Sequence, residues 1–357
     1  MKLFTRLFIP SGVLLIVLSM ILFSRAPASP PEWKKGKPKH HTREGFRNYP
    51  VIPESKMSSR IRFIFNRFKS SFTMPTVPKS HYLSERDAAV LLHSFKNKNS
   101  ITWIGQSTLL IKIDGTYILT DPFFSQLASP LPVGPGRYAA PGISLKGLPP
   151  VDIIIISHNH YDHLDADFIE ALPGKEKINV FVPLKLKKFF TDRGYRHVHE
   201  LDWYETRSIH NIKLTALPIV HYSSRSFNDK NKTLWCSWAI VSPHGKYYFI
   251  GDSAYSPTIF KNIGKKFGAF DLAMVTIGTY GNRRYGVNNH TTPEEAVAIG
   301  RELRAKALLG IHWGTIELSD ENPWEPPERF KKSAEKKGFS SEDVWVMKIG
   351  ETRILSK

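Results

Sequence analysis

One cysteine, Cys236, stands among the 357 residues, which excludes an intramolecular disulfide and any cysteine-rich zinc module. It does not assign a redox compartment, because exported proteins can also lack disulfides. Aspartate is missing from the first seventy residues, where fourteen Lys/Arg face three Glu, so that stretch carries +11 of the formal +18. The rest of the chain carries only +7. That is too little for the basic stripe with stacking aromatics that a nucleic-acid surface needs, and no nucleic-acid partner is expected. No internal repeat stands out. What is present is ordinary for a globular protein, 41% hydrophobic and 23% charged, at a length sufficient for one large or two moderate cores.

The basic start surrounds an apolar run. Lys2 and Arg6 precede LFIPSGVLLIVLSMILF, residues 7–23, which is uncharged and is followed by Arg25. At about 1.5 Å per residue it is at the short end for a hydrocarbon core of about 30 Å. A cleaved signal peptide is the alternative, since Ala26 and Ala28 resemble a small-residue cleavage site. Pro27 and Arg25 favour a retained, single-pass N-terminal anchor. Positive charge on both sides leaves its orientation open. Either way the basic groups would lie beside a bilayer and attract anionic lipid. RIRFIFNRF (60–68) suits the interface too, or packs on the domain as an ordinary strand or helix. The chain therefore divides into an anchor or signal segment (1–25), a basic linker with a short helix (26–95) and a folded domain (96–357).

Within 83–95, LSERDAAVLLHSF predicts a helix capped by Ser84. ITWIGQSTLLIKIDGTYILTDPFF (101–124) predicts two strands hinged at Asp114-Gly115. VDIIIISH and INVFVPL read as buried strands, the latter followed by a basic helix-like stretch, and IKLTALPIVH, LWCSWAIVSP, KYYFIGD, DLAMVTIG and KALLGIH as further strands. Thr292, Pro293 and Glu295 make a capping-box helix start, and PPERFKKSAEKKG a helix closed by Gly338. Hairpins mixed with strand–helix units predict two sheets with helices outside them.

The chemistry-bearing stretch is SHNHYDHL, residues 157–164, directly after VDIIII. His158, His160, Asp162 and His163 are too dense at a strand end to be buried without partners. Imidazole and carboxylate at this density suit a borderline divalent ion such as zinc, with iron or manganese also acceptable; a metal-free surface cluster is the alternative. Three more candidates stand at the same kind of address: His221 ends IKLTALPIV, Asp252 ends YYFIG and His312 ends KALLGI. Alone, each would pass for a turn residue. Together they supply three ligands to each of two metals if Asp252 bridges.

HNHYDH (158–163) resembles the HxHxDH signature of the metallo-β-lactamase superfamily. More narrowly, the chain resembles the N-acyl-phosphatidylethanolamine-hydrolysing phospholipase D family. The resemblance is carried by WIGQSTLLIKIDGTYILTDPFF (103–124), GPGRYAAPG (134–142), ISHNHYDHLD (156–165), SRSFNDKNKTLWCSW (224–238), GDSAY (251–255), TPEEA (292–296) and IHWGT (311–315). It implies an α/β, four-layer αβ/βα sandwich with metals at the mouth between two sheets, here preceded by the hydrophobic anchor. It also implies that His158, His160 and His221 hold one zinc ion, that Asp162, His163 and His312 hold a second, and that Asp252 bridges them. The family's mouth histidine falls on His290, and its tyrosine and arginine on Tyr280 and Arg283. Val220-His221-Tyr222 departs from the family's frequent Gln-His-Trp, which keeps the ligand and changes a pocket wall.

Two such metals bring the pKa of bound water down to about 7 and neutralise charge on phosphoryl oxygens. The expected reaction is hydrolysis of a head-group phosphodiester at a membrane surface, with the phospholipid N-acyl-phosphatidylethanolamine as substrate. Asp162 would orient the nucleophile as well as ligate. His290 would donate to a phosphoryl oxygen or protonate the leaving alcohol, or else merely bond the helix start. Arg283 would anchor phosphate, or else lie in solvent. The alternatives are a related hydrolase acting on a soluble phosphodiester or lactone, and a non-enzymatic scaffold; the completeness of the seven ligands disfavours the scaffold.

Overall fold

A computed structural model describes residues 36–51, 74–226, 228–285 and 288–355. The expected anchor and the segment 60–68 lie outside the described residues. Among the described residues no helix is long and apolar enough to cross a membrane.

The first α-helix among the described residues is α1 (Glu85–Ser94), whose Ser84 hydroxyl accepts from the Asp87 amide. Six strands follow: β1 (Ser100–Gly105), β2 (Thr108–Ile113), β3 (Thr116–Thr120), β4 (Ile153–Ile155), β5 (Asn179–Pro183) and β6 (His197–Leu201). Helix α2 (Ala166–Ala171) lies between β4 and β5, and α3 (Lys187–Thr191) between β5 and β6. The next seven strands form the second sheet: β7 (Thr206–Ile209), β8 (Ile212–Leu217), β9 (Ser237–Ser242), β10 (Gly245–Phe249), β11 (Leu272–Thr276), β12 (Ala307–Ile311) and β13 (Val344–Trp345). Helices α4 (Pro257–Phe267), α5 (Pro293–Glu302) and α6 (Pro326–Lys336) alternate with its later strands. Strand β14 (Thr352–Ile354) returns to pair with β1, so among the described residues each sheet has seven strands, ordered 14-1-2-3-4-5-6 and 13-12-11-10-9-8-7. Both are mixed, with hairpin pairing in one half and parallel pairing in the other.

The run of isoleucines shows why four layers form. Ile153 and Ile155 face the core shared by the two sheets, while Ile154 and Ile156 face Phe168 and Ile169 of α2 and Phe190 of α3. A strand buried on both faces has no polar positions to alternate, which is why it reads as a continuous apolar run. On the far side Ile259 and Ile263 of α4, Val297 of α5 and Phe330 of α6 cover the second sheet. Successive side chains on parallel strands thus belong to different layers, and the strand ends are left to carry chemistry.

Three expectations need correction. The 101–124 stretch is three strands, because the chain also turns at Gln106-Ser107, where Gln106 takes φ 53°. The sequence carries no Asn-Gly or Asp-Gly there to announce it. Helix α4 was not expected: Ser256 makes no side-chain cap, and Gly264 interrupts the pattern. That glycine is required by packing, since a β-carbon would overlap the Glu302 carbonyl of α5. Finally, part of the segment expected to be a linker is packed on the domain, with Phe46 only 2% exposed in the main core.

Candidate metal centre

All the ligand candidates arrive on strand ends. The loop after β4 supplies His158, His160, Asp162 and His163, and it is tightened by bonds from the His163 and Leu164 amides to the His160 carbonyl. Asp165 closes the loop by capping α2 and accepting from the Phe124 and Ser125 amides. His221 follows β8, Asp252 follows β10, and His312 follows β12 with φ 61°. Gly251 is left-handed at φ 63° and lies where any side chain would overlap Ser157, so the Asp252 turn sits directly against the histidine loop.

Two groups of donor atoms result. His158, His160 and His221 form one; Asp162, His163, Asp252 and His312 form the other. In the first, His158 Nε2 lies 2.7 Å and His221 Nε2 3.2 Å from His160 Nδ1. In the second, Asp252 places Oδ2 3.0 Å from His163 Nε2 and Oδ1 3.2 Å from His312 Nε2, while Asp162 Oδ2 lies 3.3 Å from His312 Nε2. Asp252 Oδ2 is also 3.9 Å from His221 Nε2 and 4.0 Å from His158 Nε2, so this carboxylate stands between the groups.

The outer hydrogen bonds turn lone pairs inward. His163 Nδ1 donates to Asp121 Oδ2 at 2.7 Å. The same carboxylate accepts the Ser157 hydroxyl, which in turn accepts from His158 Nδ1 at 2.9 Å. Asp121 thereby orients one histidine in each group. His221 Nδ1 donates to the Asn289 carbonyl at 3.2 Å. With their outer nitrogens protonated, His158 and His221 turn bare nitrogens inward, an arrangement that fits a cation between them. His290 Nδ1 at the mouth is buried without a hydrogen-bond partner, as expected of a site shaped for a ligand.

Ionisation follows the same division. Burial, reinforced by neighbouring imidazoles, holds His158 and His160 well below the ordinary histidine value, and burial brings His221 down to about 4. In the second group burial acts first but is outweighed. Facing imidazoles hold the Asp162 and Asp252 carboxyls well below the usual carboxylate range, while those carboxylates raise His163 well above the histidine value and His312 to about 9. Protons therefore stand where a cation would relieve the same negative charge.

Of the mouth residues, His290 lies with Nδ1 3.6 Å from Asp252 Oδ2, and burial brings it down to about 3, so it is neutral. Arg283 is turned to Glu295 and the His290 carbonyl, so its guanidinium supports the His290 loop. Tyr280 is buried under the Arg329 guanidinium, 4.7 Å from its ring, with its hydroxyl unpartnered. Two residues absent from the sequence expectations belong here. Asp121 follows β3 directly, and Gln106 donates from Nε2 to Asp162 Oδ2 at 2.9 Å. Gln106 also lines a small cleft beside His312, with Tyr138, Thr279, Trp313 and Leu318.

A family profile described as Beta-lactamase superfamily domain matches residues 116–313, from the β3 strand to just past His312. The chain belongs to the β-lactamase superfamily. Within this superfamily it is 37% identical over 243 residues to N-acyl-phosphatidylethanolamine-hydrolyzing phospholipase D 1 of Caenorhabditis elegans, a match covering 65% of this chain and 68% of that protein. It is 36% identical over 258 residues to the mitochondrial N-acyl-phosphatidylethanolamine-hydrolyzing phospholipase D of Saccharomyces cerevisiae, covering 70% of this chain and 55% of the yeast protein. The chain thus spans little more than half the yeast relative. A metallo hydrolase of Ignicoccus hospitalis superposes with a TM-score of 0.54 at 20% identity, covering 72% of this chain and 97% of that one. This likeness shows the fold, and the superfamily makes the chain a metal-dependent hydrolase.

Proposed function

We propose that the protein hydrolyses the head-group phosphodiester of N-acyl-phosphatidylethanolamine, releasing phosphatidic acid and an N-acylethanolamine. The observation that carries this reading is the pair of adjacent ligand groups sharing Asp252, in a chain 37% identical to a phospholipase of that specificity. His158, His160 and His221 would hold one ion, and Asp162, His163 and His312 the other, with Asp252 common to both. Zinc suits these ligands, and iron or manganese would also be accepted. When bound, two such ions supply a water acidic enough to attack at neutral pH and positive charge for the phosphoryl oxygens.

The chain's own groups do the rest. Asp162, held by the Gln106 amide, orients the attacking water by accepting its hydrogen bond. Attack of the water on phosphorus forms one P–O bond and breaks the bond to the head-group alcohol, which leaves with the proton that the water gives up. His290, kept neutral by burial, donates a hydrogen bond to a phosphoryl oxygen, and Arg283 fixes its loop. The apolar run at 7–23 and the basic residues after it would keep the enzyme at an anionic membrane surface, where its lipid substrate resides.

The test uses full-length protein in detergent. Bound metal is quantified, and hydrolysis of N-acyl-phosphatidylethanolamine is followed beside phosphatidylethanolamine and a bis-aryl phosphodiester, with His160→Ala as blank. About two ions per chain and phosphatidic acid from the intact enzyme alone are expected. Turnover of the bis-aryl diester with both lipids untouched would replace this reading with that of a soluble-substrate phosphodiesterase. His290→Ala should lower turnover about 10²-fold with ion content retained; unchanged turnover removes it from the mechanism.

A further inference from the structure

His221 lies in the loop after β8, and both of its backbone groups are satisfied by one distant side chain. Asn48 Nδ2 donates to the His221 carbonyl at 2.9 Å, and the His221 amide donates to Asn48 Oδ1 at 3.1 Å. The Trp235 indole also donates to Asn48 Oδ1, at 3.2 Å. Donors therefore meet the oxygen and an acceptor meets the nitrogen, so the amide has one orientation.

The segment bearing Asn48 is fastened along its length. His40 and His41 place their Nε2 atoms 2.6 and 2.7 Å from the two oxygens of Asp202, and His40 stacks on Trp203. Thr42 and Gly45 close a turn, with the Thr42 amide bonded to the Gly45 carbonyl and the Gly45 amide to the Thr42 hydroxyl. Phe46 enters the main core, and its amide donates to the Asn231 carbonyl at 2.8 Å. Gly45 passes so close to that carbonyl that any β-carbon would overlap it. Asn231 in turn pairs with Ser223, which closes the loop that begins at His221. The segment thus grips this loop at both ends, through Asn48 at His221 and through Gly45-Phe46 at Asn231.

We propose that residues 38–48 are a strap that completes the first ligand group, with Asn48 as the positioning residue that fixes His221. The inference rests on the two-ion reading above and adds that the metal site is assembled only when this N-terminal segment is seated. Buried backbone groups need partners, so without Asn48 the His221 peptide must rotate to find others, and its imidazole moves with it. Of the second group only Asp252 comes near His221, at 3.9 Å, so the ion held by Asp162, His163 and His312 should be far less affected.

The experiment is a cobalt(II) titration of metal-free full-length protein in detergent, read by visible absorbance, beside a thermal melt. Wild type should fill two sites. Asn48→Ala should weaken one of them about 10- to 100-fold and change the other far less. Asn48→Asp, which still accepts from His221 and Trp235 but cannot donate, should fall between. Gly45→Ala should shift the same site in the same direction with Asn48 untouched. Two wild-type affinities in both Asn48→Ala and Gly45→Ala, with or without a lower melting point, would overturn the proposal, since a merely structural strap moves only the melt. Fewer than two ions in the wild type itself would defeat the two-ion reading, and this inference with it.

Discussion

The two ligand groups lie against each other yet are built in opposite ways. The first is three imidazoles, kept neutral by burial and aimed by Ser157, the Asn289 carbonyl and, through His221, by Asn48. The second contains two ionised carboxylates that hold their histidines protonated against burial. The first is therefore organised by geometry and the second by charge. A neutral group depends on outer bonds to point its lone pairs, whereas a charged one attracts a cation even when imperfectly aligned.

The largest break in this contrast should come from Asp252, which faces both groups. Asp252→Ala is expected to release both ions and lower turnover by about 10³-fold, equivalent to about 4 kcal/mol of charge stabilisation. Asp162→Ala should release only the second ion. Metal analysis of the two variants separates the groups; equal loss from both would mean that the division has no physical content.

Next is the pH response of the metal-free protein. His312 is raised to about 9 when folded, against about 6.5 for an ordinary histidine, so the folded state binds the extra proton. Its contribution, on the order of 3 kcal/mol, is complete below about pH 6.5 and is lost as pH rises through about 9. Melts between pH 6 and 9.5 should show this decline without metal and a flatter profile with it, because an ion replaces the proton. A flat profile in the metal-free protein would remove charge as the organiser of the second group.

The smallest of the three effects tests a shared support. Asp121→Asn should weaken binding in both groups by about 10- to 100-fold, since it holds His163 directly and His158 through Ser157. An effect confined to the His163 group, seen in the same cobalt titration, would show that Ser157 orients His158 unaided.

Legibility in the sequence follows local density. His158, His160, Asp162 and His163 announced themselves because four polar groups crowd one strand end, and His221, Asp252 and His312 because each terminates an apolar run. The capping box at Thr292 and the Asp114-Gly115 hairpin were visible for the same local reason, and both are present. Asp121, Gln106 and Asn48 were not visible. Each is a single polar residue whose role depends on a partner far away in the chain, as with Asn48 and His221. Arg283 was legible as a residue near the mouth, but its attachment to Glu295 and the His290 carbonyl depends on how the α5 cap meets the preceding loop.

By itself the sequence determined most of the strands and the identity of the seven ligand candidates, because hydrophobic period and residue chemistry are local properties. Only the tertiary structure decided which nitrogens face inward and that the stretch around Asn48 belongs to the site. Those facts arise where strand ends from two sheets and an N-terminal strap converge, and such convergence is a property of packing, not of spacing along the chain.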